Sequence, residues 1–182
     1  MTGHKISKEL LNNTLKIILE LLTEYNITNW FVGYGTLLGI VRENSCIDND
    51  DDIDIIIDKN QFDSLEKALL SNGFILSNNI NDRRGYNNKT FLKITRHLTK
   101  KISNIDFYLA TLDNEGNFND TWENVIWSKC YVDNNKNLIE YDWNGLKLYL
   151  PNNYQLKLQN RYGDDWKIPQ MSKGVKPRKK IL

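Results

Sequence analysis

The 182-residue sequence predicts an α/β (α+β) fold, a mixed β-sheet with helices packed on it. Three observations carry this. Leucine and isoleucine repeat at helical spacing near the N-terminus. A β-branched run, Asp52–Ile57, stands between polar loops. Further short apolar runs then follow one another with a single helical pattern between them. With 40% hydrophobic residues and 5 Trp, 9 Tyr and 6 Phe, the chain has material for one real core, which excludes wholesale disorder.

Leu11, Leu15, Ile18 and Leu22 predict an amphipathic helix over 8–25, with Ser7 as its N-cap. Trp30-Phe31-Val32 ends at Gly33 and suits a buried strand. Gly35 to Arg42 reads as a turn entering a short helix. After a polar loop comes the strand Asp52–Ile57, then a helix from Gln61 to Leu70 closed by Ser71-Asn72-Gly73, with Gly73 at its C-cap. Strands are predicted around Phe74–Leu76, Phe91–Thr95 and Ile105–Leu109, and a loop over 113–121. A Trp-rich region runs to Leu150, where Pro151 introduces a helix from Tyr154 to Tyr162. No internal repeat or linker interrupts this order.

Composition narrows the function. No apolar run reaches the roughly 18–20 residues of a membrane span. The N-terminus lacks a basic-then-apolar leader pattern, so a cytoplasmic location is expected. Cys46 and Cys130 have no zinc spacing and are expected as free thiols. Net charge is +1, yet five of the 24 basic residues lie in the last eleven: Lys173, Lys176, Arg178, Lys179 and Lys180. That leaves 19 basic against 23 acidic residues in the body. An acidic body argues against a stable nucleic-acid partner. The basic tail, 172–182, is either a solvated end or a peripheral contact for an anionic surface.

The chemistry concentrates in Asp48-Asn49-Asp50-Asp51-Asp52-Ile53-Asp54. On a strand, residues two apart share a face, so Asp52 and Asp54 project together while Ile53, Ile55 and Ile57 fill the other side. Paired carboxylates on a rigid strand suit a hard divalent cation such as Mg²⁺. Asp50 and Asp51 precede the strand as loop charges. Asp106 interrupts a second apolar strand, which makes sense as a third carboxylate facing that pair. Three carboxylates around one or two ions are common equipment for phosphoryl or nucleotidyl transfer. Gly33-Tyr34-Gly35-Thr36 opens a helix whose free N–H groups can receive a phosphate, with Arg42 as a clamp. Each feature has a plainer explanation, a solvated loop, a tight turn or an edge-strand acid; their order together favours a site.

That order, Gly-Thr turn, Asp-x-Asp strand, later Asp strand, resembles the DNA polymerase β-type nucleotidyltransferase superfamily. The stretch GTLLGIVRENSCIDNDDDIDIII resembles the LicD family, matching at Gly35, Thr36, Leu37, Leu38, Gly39, Arg42, Asp50, Asp51, Asp52, Ile53 and Asp54. FLKITR, with Lys93, NIDFYLATLD, with Asp106, and NRYGDDWKIP resemble later family motifs, so the likeness covers about residues 30–169. It implies a nucleotidyltransferase-like catalytic domain over 1–171 that moves a phosphorylated alcohol, such as phosphocholine, from a CDP-linked donor to a sugar hydroxyl of a glycan or glycolipid. Asp52, Asp54 and Asp106 would hold Mg²⁺ or Mn²⁺, with Asp106 also the general base. Gly35, Thr36 and Arg42 would grip donor phosphates, and Lys93 would either join them or line the strand surface. Trp122, Trp127 and Trp143 would stack on a base or sugar or else fill the core. The alternative is a minimal nucleotidyltransferase passing NMP from an NTP to a protein, RNA or small molecule.

Overall fold

The computed structural model describes residues 6–169 and 179–182. It has the predicted mixed sheet. Strands β1 (Trp30–Val32), β2 (Asp52–Asp58), β3 (Phe74–Leu76), β4 (Phe91–His97) and β5 (Asn104–Leu112) lie in the order β1-β2-β5-β4-β3. Only β2 and β5 are parallel; β1–β2, β5–β4 and β4–β3 are antiparallel. Beyond the end of β5, β6 (Phe118–Asp120) and β7 (Val125–Trp127) extend the sheet. Strands β8 (Ile139–Trp143) and β9 (Leu146–Leu150) form a separate hairpin.

Helix α1 (Lys8–Glu24) starts at Ser7, whose hydroxyl accepts from the Leu10 amide, and buries the repeat Leu11, Leu15, Ile18 and Leu22. It also fixes the loop ahead of β2. The Asn12 carboxamide accepts from the Cys46 amide at 2.9 Å, and the Ile6 backbone pairs with Asn49 and Asp50. Helix α2 (Tyr34–Glu43) follows β1, and α3 (Phe62–Ser71) follows a 3₁₀ turn over Lys59–Gln61. Asn72 caps α3, with Gly73 one residue beyond in the left-handed region at φ 83°. Ile53, Ile55, Ile56 and Ile57 are fully buried, so β2 is apolar throughout except for its aspartates.

One expectation is corrected, and two stretches unassigned from sequence take form. The 113–121 loop contains β6, paired with β5 through Thr111 and Leu112. A polar stretch with no apolar stripe forms helix α4 (Ile80–Asn87), capped by Asn79 and held where Gly85 lies against Phe91 and Trp122. The Trp-rich region resolves into β7 and the β8–β9 hairpin, turned at Asn144-Gly145. The anticipated C-terminal helix is present as α5 (Tyr154–Tyr162). Trp127 and Trp143 are buried, and Trp122 stacks on Phe91 at 4.5 Å, so all three pack. Cys46 and Cys130 are buried free thiols, each raised to about 12 by burial.

Lys173, Lys176 and Arg178 lie outside the described residues. Beyond them, the backbone of 180–182 hydrogen-bonds to Ile126 and Ser128, and Ile181 bridges β7 in parallel. Buried Lys157 donates to the Ser128 carbonyl beneath this junction at 2.6 Å.

Gly39 lies where α2 meets its loop. A Cβ there would stand 2.5 Å from the Ser45 carbonyl oxygen, a backbone atom that cannot rotate away. Gly39→Ala should therefore destabilise the protein by about 1–3 kcal/mol, as overpacking does. Urea denaturation checks this, with an unchanged midpoint as the contrary result.

Candidate active site

The register of the central strands builds the site. Asp54 on β2 is directly opposite Asp106 on β5, and Asp106 is opposite Lys93 on β4. Directly paired residues share a face, so these three side chains form a row across the sheet, and Asp52 joins it two residues before Asp54. Lys93 Nζ lies 2.8 Å from Asp106 Oδ1, 2.9 Å from Asp106 Oδ2 and 3.8 Å from Asp52 Oδ2.

The Gly33–Thr36 turn is closed onto Asp54. Its backbone carbonyl accepts from the Gly33 amide at 3.0 Å, and its amide donates to Thr36 Oγ1 at 2.9 Å. The Gly35 amide donates to Asp54 Oδ2 at 3.0 Å, and the Tyr108 hydroxyl donates to Oδ1 at 3.1 Å. Gly35 thus directs its amide at the carboxylate, while the Thr36 hydroxyl oxygen holds the Asp54 backbone. Gly35 packs closely here: a Cβ would fall 2.6 Å from Asp50 Oδ2, and that carboxylate would have to shift. Asp50, expected as a loop charge, is accordingly drawn half-buried against this turn, whereas Asp51 is exposed.

Tyr34, between the two glycines, has φ 39°, a left-handed conformation costly for a bulky residue. Its surroundings hold it there. The hydroxyl donates to fully buried Asp120 at 2.5 Å, and the ring meets Tyr108 and Trp127 edge-on at 4.8 and 5.2 Å. The Arg161 guanidinium lies 4.6 Å from the ring centre. Arg42 is elsewhere occupied, pairing through Nε and Nη2 with Glu43 Oε1 at 3.0 and 2.7 Å.

Tyr108 and Arg161 were missed in the sequence. Tyr108 had a signal: it stands two residues after Asp106, on the same face of the same strand. Arg161 had none, because only the packing of α5 brings it to Tyr34.

Burial and mutual repulsion raise Asp52 and Asp54 well above the ordinary carboxylate value of 3.8. Burial raises Asp106 as well, against the pull of Lys93. Burial alone would lower Lys93, but Asp106 and Asp52 hold its ammonium above the usual value. Three carboxylates and one ammonium leave the row two charges negative when ionised. Asp106 Oδ1 is buried with no hydrogen-bond partner, its contact with Lys93 being an ion pair only. An all-oxygen donor set with two excess negative charges fits a divalent cation. Asp50, Asp51 and Asp52 form an overlapping group whose oxygens lie within 4.8 Å of one another.

Residues 26–153 match the family model described as LicD/FKTN/FKRP, nucleotidyltransferase domain. No curated protein sequence matches the chain. Among solved structures, the lincomycin-bound lincosamide antibiotic adenylyltransferase LnuA is similar at a TM-score of 0.53 and 14% identity, over 84% of this chain and 86% of that one. At that identity the likeness establishes the fold.

The raised carboxyls set the pH dependence of stability without metal. The folded state retains protons that the unfolded chain releases above about 3.8. Stability should therefore fall as pH rises from there past neutrality. Mg²⁺ or Mn²⁺ should reverse the loss, by about 2.7 kcal/mol at a hundredfold excess over Kd, or roughly 2–4 °C in Tm per kcal/mol. Asp52→Asn should raise the metal-free Tm and abolish the metal response. Thermal scans across pH with and without the ion check both, and a metal-free Tm that rises with pH would contradict them.

Proposed function

The chain belongs to the LicD/FKTN/FKRP nucleotidyltransferase family, and we propose that it is a metal-dependent transferase moving a phosphorylated alcohol from a CDP-linked donor to a sugar hydroxyl. The observation that carries this reading is the row of Asp54, Asp106 and Lys93 across three strands, with Asp52 beside it. Asp52, Asp54 and Asp106 would hold Mg²⁺ or Mn²⁺, which neutralises developing charge on the diphosphate. Thr36, Gly35 and Tyr108 orient Asp54, so its carboxylate needs no rearrangement to serve as a ligand.

In the transfer step the acceptor hydroxyl oxygen attacks the phosphorus bearing the alcohol. A new P–O bond forms, the P–O bond to CMP breaks, and CMP leaves with the bonding electrons. Asp106 accepts the hydroxyl proton. Burial favours its protonation, and Lys93 stabilises the carboxylate until the proton arrives. The Arg161 guanidinium adds positive charge beside the turn, on Tyr34.

A second reading, NMP transfer from an NTP, is favoured by the fold shared with an adenylyltransferase. It would use the same carboxylates and release pyrophosphate.

Purified protein incubated with Mg²⁺ and CDP-choline or CDP-ribitol should release CMP on addition of a sugar acceptor, and EDTA should stop it. Pyrophosphate from NTPs, with no CMP from either donor, would select the second reading; neither product would reject both. Asp106→Asn should lower kcat about 10²–10⁴-fold, the usual share of a general base. Full activity in that variant would remove Asp106 from the reaction.

A further inference from the structure

Beside the carboxylate row lies a cleft of about 140 Å³ between the end of β3 and helix α4. Lys93 is common to both: it lines the cleft and contacts Asp106 at 2.8 Å. The remaining walls come from Ser77, Asn78, Asp82, Arg83 and Tyr86, with Leu76 as an apolar patch. The walls are held firmly. Ser77 Oγ donates to Asp82 Oδ2 at 2.6 Å and accepts from the Asn79 amide at 3.1 Å. The Tyr86 hydroxyl donates to Glu66, and its ring packs on Phe62. Gly85 fits against Phe91 and Trp122 with no room for a Cβ.

We propose that this cleft is the acceptor subsite, and that it takes one hydroxylated ring or a polyol of similar size, with a hydroxyl turned towards Asp106. The proposal rests on the transferase reading above and locates its second substrate. Size is the first argument. A cavity of about 150 Å³ holds benzene, so the 140 Å³ of this cleft is on the scale of a single six-membered ring, smaller than a nucleoside with its diphosphate. Charge is the second. Asp82 stands among the walls with Arg83, and the Lys93 ammonium is paired with Asp106 at the cleft's edge, so little positive charge is left over to draw in a diphosphate. Chemistry is the third. Hydroxyl, carboxamide, carboxylate and guanidinium groups around one apolar patch provide donors and acceptors for several hydroxyls and a face for the C–H side of a sugar. Position is the last. A hydroxyl beside Lys93 is next to the ammonium that pairs with Asp106, on the row proposed to hold the ion that meets the donor phosphates.

Asn78 and Arg83 are exposed at the rim, so substitutions there leave the core intact. Asn78→Trp fills the cleft and Arg83→Ala removes its guanidinium. Arg84→Ala, on the same helix but outside the cleft, is the control. Saturation-transfer NMR with ribitol and methyl α-galactopyranoside as probes should show binding to the wild type and to Arg84→Ala, and its loss in Asn78→Trp. In CMP-release assays with Mg²⁺ and CDP-choline, both cleft variants should raise acceptor KM at least tenfold and leave donor KM within twofold. A raised donor KM would place the donor in the cleft and overturn the proposal, as would unchanged acceptor KM or no probe binding to the wild type. CMP release from the wild type alongside any of these would sink the subsite alone. No CMP release under any condition would sink the transferase reading with it.

Discussion

Repulsion between carboxylates that the backbone will not let separate is the constraint around which this molecule is arranged. The parallel pairing of β2 and β5 places Asp54 against Asp106, and strand alternation adds Asp52 on the same face. Asp54 and Asp106 are only 6% and 5% exposed, so water cannot screen them. Such a group persists in one of three ways: by holding protons, by pairing with cations, or by both. Lys93 supplies one cation from the next strand, and the balance is left to protons or an added ion.

The neighbouring elements fit this constraint. Asp54 cannot turn away, because the turn after β1 contacts its amide, its carbonyl and its carboxylate together. That turn requires Tyr34 in an unfavourable backbone conformation, which the Asp120 hydrogen bond and the rings of Tyr108 and Trp127 maintain. β6 and β7, appended beyond β5, contribute Asp120 and Trp127 and so act directly on the site's geometry. α1 acts from the other side by fixing the loop that delivers Asp50 to Asp52.

Much of this was legible in the sequence, for physical reasons. Asp52, Asp54 and Asp106 stood out because a charge inside a β-branched run has no packing explanation, and period-two alternation assigned them a face. The long helices showed because their apolar stripes repeat at 3.6 residues. α4 escaped because it has no apolar stripe: among its eight residues only Gly85 is buried, and its stability comes from a cap and tertiary contacts. β6 escaped because Phe118-Asn119-Asp120 offers one apolar residue, whereas the equally short β1 and β3 are apolar throughout. The turn at Gly35 and Thr36 was located correctly, yet the residue types could not reveal that its amide and hydroxyl oxygen face Asp54. That depends on β1 pairing with β2, a contact between segments distant in sequence.

The same parallel pairing bears on how the protein is made. Its partners in sequence are far apart: between β2 and β5 the chain must build α3, β3, α4 and β4, all of which lie in the crossover. Closing a loop of this size costs on the order of 3–4 kcal/mol of chain entropy before a single ladder bond forms. Non-local pairing of this kind belongs to the slower classes of folding topology. During synthesis Asp52 and Asp54 leave the ribosome long before Asp106 and Lys93, so the acidic loop spends that interval without its electrostatic partners. The carboxylate row can assemble only after the middle of the sheet is complete, which ties its acquisition to completion of the core.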